Sequence, residues 1–264
     1  MRSALIGYSG YVGGTLLKQT AFASLYRSTN IGDIDHQSFD TVVCAAASAQ
    51  KWLANREPED DLKKIETLIG HLKTIKCKTF ILISTVDVFK HPIGVDEDAS
   101  VDESGLHAYG LHRRKLEIFV EKYFSNCLVV RLPGLVGPGL RKNVIFDFLN
   151  DNNLHTIDSR GVFQFYPMVN LWHDIQTALD AKLKLVHLTA APVSVEQISL
   201  QGFGLPFTNT LSHSPASYDL RTKYAHVFDS AGFYQNSVRE TILAVRAYAQ
   251  SESRTIKPET GLKA

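Results

Sequence analysis

The chain has 264 residues, 44% of them hydrophobic, enough for one sizeable core or one core with a small appendage. A formal net charge of +1 gives no electrostatic basis for binding nucleic acid or an anionic membrane. Cys44, Cys77 and Cys127 are far apart in apolar runs, no Cys-x-x-Cys or His-x-x-x-His occurs, and no run of about 18 apolar residues exists. Reduced thiols, no metal site, no membrane span and no signal peptide are expected, and so a soluble cytoplasmic protein.

Residues Ser3–Ile6 read as a short strand, followed at once by Gly7-x-x-Gly10-x-x-Gly13 and an amphipathic stretch from Tyr11 to about Ala21. Strand, tight turn and helix N-terminus together form a seat for a nucleotide pyrophosphate. Glycine permits positive φ and lets a phosphate approach peptide N–H groups, and the helix dipole favours the negative charge. The same glycines also suit an ordinary turn.

Further strands are expected at Ser24–Arg27, Thr41–Ala46, Thr79–Ser84, Cys127–Leu132 and Leu185–Leu188. Several are apolar throughout, as strands covered on both faces are. Pro58 opens a helix with Glu59, Asp60 and Asp61 in its first turn and Leu62, Ile65, Ile69 and Leu72 as its buried stripe. A second helix starts near His107 and carries Leu116, Phe119, Val120 and Tyr123. Ser194-Val-Glu-Gln197 and Ser237-Val-Arg-Glu240 are capping boxes. The polar tail from about Ser251 is expected to fray.

This alternation predicts an α/β fold: a trimmed Rossmann-type doubly wound parallel sheet with a small C-terminal substrate-side subdomain. Only about ten residues, Ile31–Asp40, precede Thr41, too few for a crossover carrying a full helix. The third strand of a full dinucleotide fold and its helices are therefore missing or reduced to one turn. The expected division is a Rossmann-like domain over 1–160, whose sheet can take a later strand near 185–188, and a substrate-side segment with a C-terminal helix over 161–264.

Phe80-Ile-Leu-Ile-Ser84-Thr85 places two hydroxyls at the C-terminal end of a central strand, the edge where open α/β sheets bind ligands. Tyr109 follows in Ala108-Tyr109-Gly110-Leu-His112-Arg113-Arg114-Lys115. A helix puts Arg113 and His112 on the face of Tyr109, while Lys115 points roughly 120° away.

Taken in order, Gly7-x-x-Gly10-x-x-Gly13, Ser84-Thr85-Val-Asp87-Val-Phe89, Tyr109-Gly110 with a cation four later, and Arg131-Leu-Pro133-Gly134-Leu-Val-Gly137-Pro138 resemble the extended short-chain dehydrogenase/reductases. The similarity is to the NAD-dependent epimerase/dehydratase group over roughly residues 1–200. The Ser-Thr-x-x-Val-Phe segment is especially similar to that of the dTDP-4-dehydrorhamnose reductases.

The resemblance implies an NAD(P)-dependent oxidoreductase or epimerase acting on the carbonyl or hydroxyl of a sugar or sugar nucleotide. It makes Tyr109 the general acid/base, helped by a cation that favours the phenolate, and Thr85 a hydrogen-bond donor to the substrate oxygen. It assigns cofactor contacts to Gly7, Gly10, Tyr11, Val12, Gly13, Ala45, Ala46, Ala47, Ser84, Tyr109, Arg113 and Pro133. Substrate contacts fall to Lys51, Asp87, Asn143, Phe165 and Tyr166. The two aromatics equally suit a core, Lys51 an ordinary loop, and Asn143 the N-cap of Val144–Leu149.

Two departures bear on the chemistry. Arg113 stands where the family has lysine, and a guanidinium cannot release a proton at physiological pH. Asp61, Leu62 and Lys63 occupy the region where the family often has a water-ordering asparagine. Cofactor choice rests on Arg27, Ser28 and Asn30 at the second strand's end. Arg27 and Ser28 could receive a 2′-phosphate, which favours NADP by a small margin. Asp33 would favour NAD if the strand ran further. An alternative reading is a dinucleotide-binding sensor that has lost turnover. The resemblance also implies a homodimer through the two helices; the Leu62–Leu72 stripe equally suits this chain's own sheet.

Overall fold

The computed structural model describes residues 2–254, so most of the polar tail lies outside the described residues. Six strands form the central sheet: β1 (Ser3–Ile6), β2 (Ser24–Tyr26), β3 (Ser38–Cys44), β4 (Lys76–Thr85), β5 (Cys127–Leu132) and β6 (Leu185–His187). Every pairing is parallel, in the spatial order β2-β1-β3-β4-β5-β6. The chain leaves β1 for β2 on one side and then crosses to β3 on the other. The crevice of this sheet therefore opens at the C-terminal ends of β1 and β3, where strand order reverses. The crossing from β2 to β3 carries only a single 3-10 turn, Ile31–Ile34, as the short spacing requires.

Helices cover both faces of the sheet. α1 (Tyr11–Gln19) follows the glycine turn, the short α2 (Lys51–Arg56) follows β3, α3 (Pro58–Leu72) precedes β4, and α4 (Ala108–Tyr123) precedes β5. Further on come α5 (Val144–Asn150), α6 (Leu171–Asp180) and α7 (Val238–Ser251). Period-two alternation divides each strand between two cores. Ala4, Ile6, Val42 and Leu82 meet Ile65, Ile69, Leu72, Leu116 and Val120 of α3 and α4. Leu5, Val43, Ile81 and Ile83 meet Leu16 of α1 and Leu171, Ile175 and Ala178 of α6. The Ile65–Leu72 part of the α3 stripe is thus spent on this chain's own core. All six residues of β5 are buried, as an interior parallel strand demands.

A third apolar cluster joins Val136, Ile145, Phe148, Phe165, Val193, Ile198 and Val245. It is framed by short strand pairs, Gly134–Val136 with Phe165–Pro167 and Val162–Phe163 with Val193–Ser194. The capping box at Ser194 opens only one α turn, which passes into a π-helical stretch, Ile198–Phe203. The box at Ser237 starts α7 as expected. All three cysteines are free; Cys44 and Cys127 are buried, while Cys77 is half-buried.

Candidate active site

The ends of β1, α1 and β3 close on one another through missing side chains. Gly7 has φ 88°, and a Cβ there would lie 2.4 Å from the Ala45 carbonyl oxygen. A Cβ on Gly13 would lie 2.2 Å from the Gly7 oxygen. Gly10 differs: its Cβ would touch only the Gly7 oxygen, at an ordinary 3.4 Å, so packing does not demand glycine there. Gly10 is also the N-cap of α1, and no side chain caps the helix. The first N–H groups of α1 are therefore left without a side-chain acceptor from its cap residue, as an anion seat requires.

Beside this turn, Val12, Ala45, Thr85, Tyr109, Arg113 and Pro133 line one cavity of about 370 Å³. A larger, more open cavity of about 1010 Å³ adjoins it, sharing Tyr11, Lys51, Leu140 and Lys142 and reaching Gly10. Ala47 and Ser84 also border the smaller cavity. The Tyr11 hydroxyl donates to the Gly137 carbonyl at 3.1 Å and ties the glycine turn to the loop that rims both cavities.

The placement of Tyr109 has a local cause. A Cβ on Gly110 would lie 2.1 Å from the Asp87 carbonyl oxygen, so only glycine lets α4 press against the turn that follows β4. His107 caps α4 by accepting from the Gly110 N–H at 3.0 Å, and Asn55 accepts the Tyr109 N–H at 3.0 Å. Tyr109 is thereby held with 7% of its surface exposed, in the cavity that Thr85 also lines. Burial pushes the phenol up; Arg113 pulls it down and Asp87 pushes it up, and the net direction is up. The resemblance led to the opposite expectation.

Burial explains the difference, and Arg113 offsets only part of it. Its guanidinium carbon stacks 4.1 Å above the Tyr109 ring centroid instead of facing the phenol end-on. Nη1 donates to Asp61 Oδ2, and Nη2 donates to the Ser48 carbonyl. The same Asp61 oxygen meets His112 Nδ1 at 2.7 Å. Burial pushes the Asp61 carboxyl up, but the bonds from Arg113 and His112 outweigh it and hold the group below its ordinary range. Asp61, read in the sequence as a helix-start charge, is thus buried against α4. Arg113 Nε is buried with no partner. An orphaned donor on a residue that lines the cavity fits a hydroxyl-bearing ligand such as a ribose.

On the substrate side, Lys51 Nζ pairs with Asp87 Oδ1 at 2.7 Å, and Tyr218 lines the same cavity. Burial pulls the Lys51 amine down, Asp87 outweighs it, and the net direction is up. Lys142 reaches the Ala49 carbonyl, and desolvation pulls its amine down. Asn143 lines the cavity but has φ 87° and caps α5, accepting from Ile145 N–H and donating to Leu135 O, both at 2.9 Å. Phe165 borders the cavity. Tyr166 does not line either cavity. It is fully buried in the core shared with α6, and its hydroxyl donates to Asp174 Oδ2 at 2.5 Å. Adjacent residues of a strand face opposite ways, so Phe165 and Tyr166 cannot both reach one site.

Other expected cofactor residues are more scattered. Ala46 borders neither cavity. Arg27 is exposed at the end of β2, lies 5.8 Å from the Tyr8 ring and bonds the Thr29 hydroxyl at 2.9 Å. Ser28 beside it is exposed. Asn30 is committed to the turn, accepting from Arg27 N–H at 2.7 Å and donating to Leu25 O at 3.1 Å. β2 stops at Tyr26, and Asp33 falls in the 3-10 turn. The Ser84 hydroxyl is spent on Glu117, at 2.6 Å. Tyr218 and Lys142, which sequence spacing did not single out, arrive at the site from segments distant along the chain.

No family model and no curated protein matches the chain. Solved structures do. The enzyme WbmG from Bordetella bronchiseptica in complex with NAD matches over 95% of this chain and 94% of its own, at 15% identity and a TM-score of 0.73. The dTDP-4-dehydrorhamnose reductase of Bacillus anthracis in complex with NADP matches over 95% and 98%, at 13% identity and a TM-score of 0.71. The UDP-glucose 4-epimerase of Thermotoga maritima with UDP-glucose matches over 95% and 98%, at 15% identity and a TM-score of 0.70. At these identities the common property is the fold, and it extends over the whole length of each partner.

Proposed function

We propose that this protein is an NAD(P)-dependent oxidoreductase or epimerase acting on a carbonyl or hydroxyl carbon of a sugar or sugar nucleotide, with Tyr109 as the general acid/base. The observation that carries this reading is convergence. Thr85, Tyr109 and Arg113 come from two elements to one cavity at the C-terminal end of β4, directly beside the turn of Gly7, Gly10 and Gly13. The uncapped N-terminus of α1, the space at Gly10 and the unpartnered Arg113 Nε fit a dinucleotide.

Gly7, Gly10, Val12 and Gly13 would hold the diphosphate, Arg113 a ribose hydroxyl, and Ala45, Ala47 and Pro133 the nicotinamide end. When bound, the cofactor supplies or takes up hydride. Thr85 orients the substrate oxygen and stabilises charge that develops on it. Tyr109 Oη gives that oxygen a proton or removes one. Phe163, Phe165 and Tyr218, from the segment that begins at residue 161, contribute to the cavity wall. Arg27 at the end of β2 favours NADP, to be read as tighter binding of NADPH than of NADH in a calorimetric titration.

The test is turnover of NADPH or NADH with a panel of keto-sugars and nucleotide keto-sugars. A Tyr109→Phe variant should bind dinucleotide normally and lose about 10²–10⁴-fold in rate; activity that survives the change removes Tyr109 from its role. A sensor without turnover is the second reading. It is favoured by Arg113 being pinned to Asp61 and Ser48, and it predicts binding with no turnover of any carbonyl.

A further inference from the structure

We propose that Asp61 is a positioning residue that holds Arg113 over the Tyr109 ring and offsets its charge there. The inference rests on the oxidoreductase reading and adds a residue to its site. Its basis is a change of charge balance. A cation lying free beside the phenol would favour the phenolate, the form that removes a proton. Here the cation is bound to a carboxylate. Arg113 and Asp61 are 3% and 6% exposed, and Arg113 Nη1 donates directly to Asp61 Oδ2. The guanidinium also lies over the ring face, away from end-on contact with the oxygen.

The remaining groups around Tyr109 do not restore the missing charge. From α2, Lys51 is matched by Asp87 of the turn after β4 at 2.7 Å. Tyr218 lines the same cavity. On α4 itself, His107 Nδ1 accepts the Gly110 N–H, and His112 shares the Asp61 oxygen with Arg113. Lys142, from the loop before α5, borders the cavity, and desolvation pulls its amine down. Burial pushes the Tyr109 phenol up and outweighs the pull of Arg113.

The step that this site would serve is balanced. In reduction the carbonyl carbon accepts hydride from a reduced nicotinamide dinucleotide, and the carbonyl oxygen takes the Tyr109 Oη proton. An alcohol, an oxidised dinucleotide and a phenolate remain, and the phenolate regains its proton from solvent. Oxidation runs through the same atoms in reverse.

The experiment is a pH titration of Tyr109 in the protein without cofactor. It follows the 13Cζ-tyrosine resonance that disappears in Tyr109→Phe. Asp61→Asn unmasks the guanidinium and should move the midpoint down by about one pH unit; Arg113→Gln leaves the carboxylate unmatched and should move it up by a similar amount. The double variant should return near the wild-type value. A midpoint unmoved or raised by Asp61→Asn overturns the proposal. So does a double variant that follows either single change. Should Asp61→Asn not fold, by circular dichroism, an unmoved midpoint in Arg113→Gln overturns it equally. The expected shifts without turnover on any carbonyl would sink the oxidoreductase reading, leaving the charge assignment to Asp61 standing.

Discussion

Helix α4 carries two buried guanidinium–carboxylate centres, and they are built on different principles. Behind the strand ends, Glu117 takes Arg131 Nε and Nη2 at 3.0 and 2.8 Å, the Ser84 hydroxyl at 2.6 Å and Arg114 Nη1 at 2.9 Å. Arg131 Nη1 completes itself on His187 Nε2 at 3.3 Å, and His187 Nδ1 faces the Arg221 carbonyl at 2.8 Å. A neutral ring serves both, donating from Nδ1 and accepting at Nε2. Four residues earlier on the helix, Arg113 meets Asp61 and borders the cavity. Among the described residues, Arg113 Nε and Arg114 Nε are both buried without a hydrogen-bond partner, one in each centre. The first centre is a structural joint of β4, α4, β5 and β6. The second borders the space where a ligand would lie. Burial and an unpaired nitrogen do not separate the two cases; whether the guanidinium borders the cavity does.

The contrast breaks most visibly at the rear centre. Arg131→Met strands the Glu117 carboxylate and should cost about 3–5 kcal/mol of stability, read by chemical denaturation. Loss of dinucleotide affinity in a variant that stays folded would show that the rear centre is not purely structural. Next in size is a pH effect. Burial first, and then Arg131, pull His187 down to about 4. The unfolded ring binds its proton near the ordinary 6.5, so the unfolded chain holds more protons between the two values. Stability is complete above about pH 6.5 and is lost as pH falls toward 4, by roughly 3 kcal/mol on a single-site basis. His187→Asn should flatten that part of the denaturation-versus-pH curve. The smallest effect belongs to the front centre, where Arg113→Met should weaken dinucleotide binding about tenfold, the worth of one or two lost hydrogen bonds. Equal losses of stability in the two methionine variants would erase the distinction.

Much of the fold was written locally. The turn of Gly7, Gly10 and Gly13, the hydroxyls ending β4, and Tyr109 with Arg113 one helical turn later are short-range patterns, and each lies where its spacing implied. The short β2–β3 connection could be read from chain length alone. What escaped were partners supplied from afar. Asp61 looks like one of three acids in the first turn of α3, and only the packing of α3 on α4 selects it over Glu59 and Asp60. Tyr218 and Lys142 sit in loops whose course no periodicity encodes. Tyr166 takes the core position that the aromatics equally suited, because a run of aromatics does not reveal which face each takes until the strand's register is known. The bond of Ser84 to Glu117 was equally out of sight, since that acceptor lies 33 residues further on.

The claim on which all of this depends is that a nicotinamide and Tyr109 meet in the cavity between Thr85 and Pro133. A crystal structure with bound NADP tests it directly. The expected result places the nicotinamide C4 within about 4 Å of the space in front of Tyr109 Oη, the contact that hydride and proton transfer require. It also places the diphosphate at the N-terminus of α1 and Arg113 Nε on a ribose hydroxyl. A nicotinamide ring outside this cavity, or a diphosphate seated elsewhere, would contradict the claim.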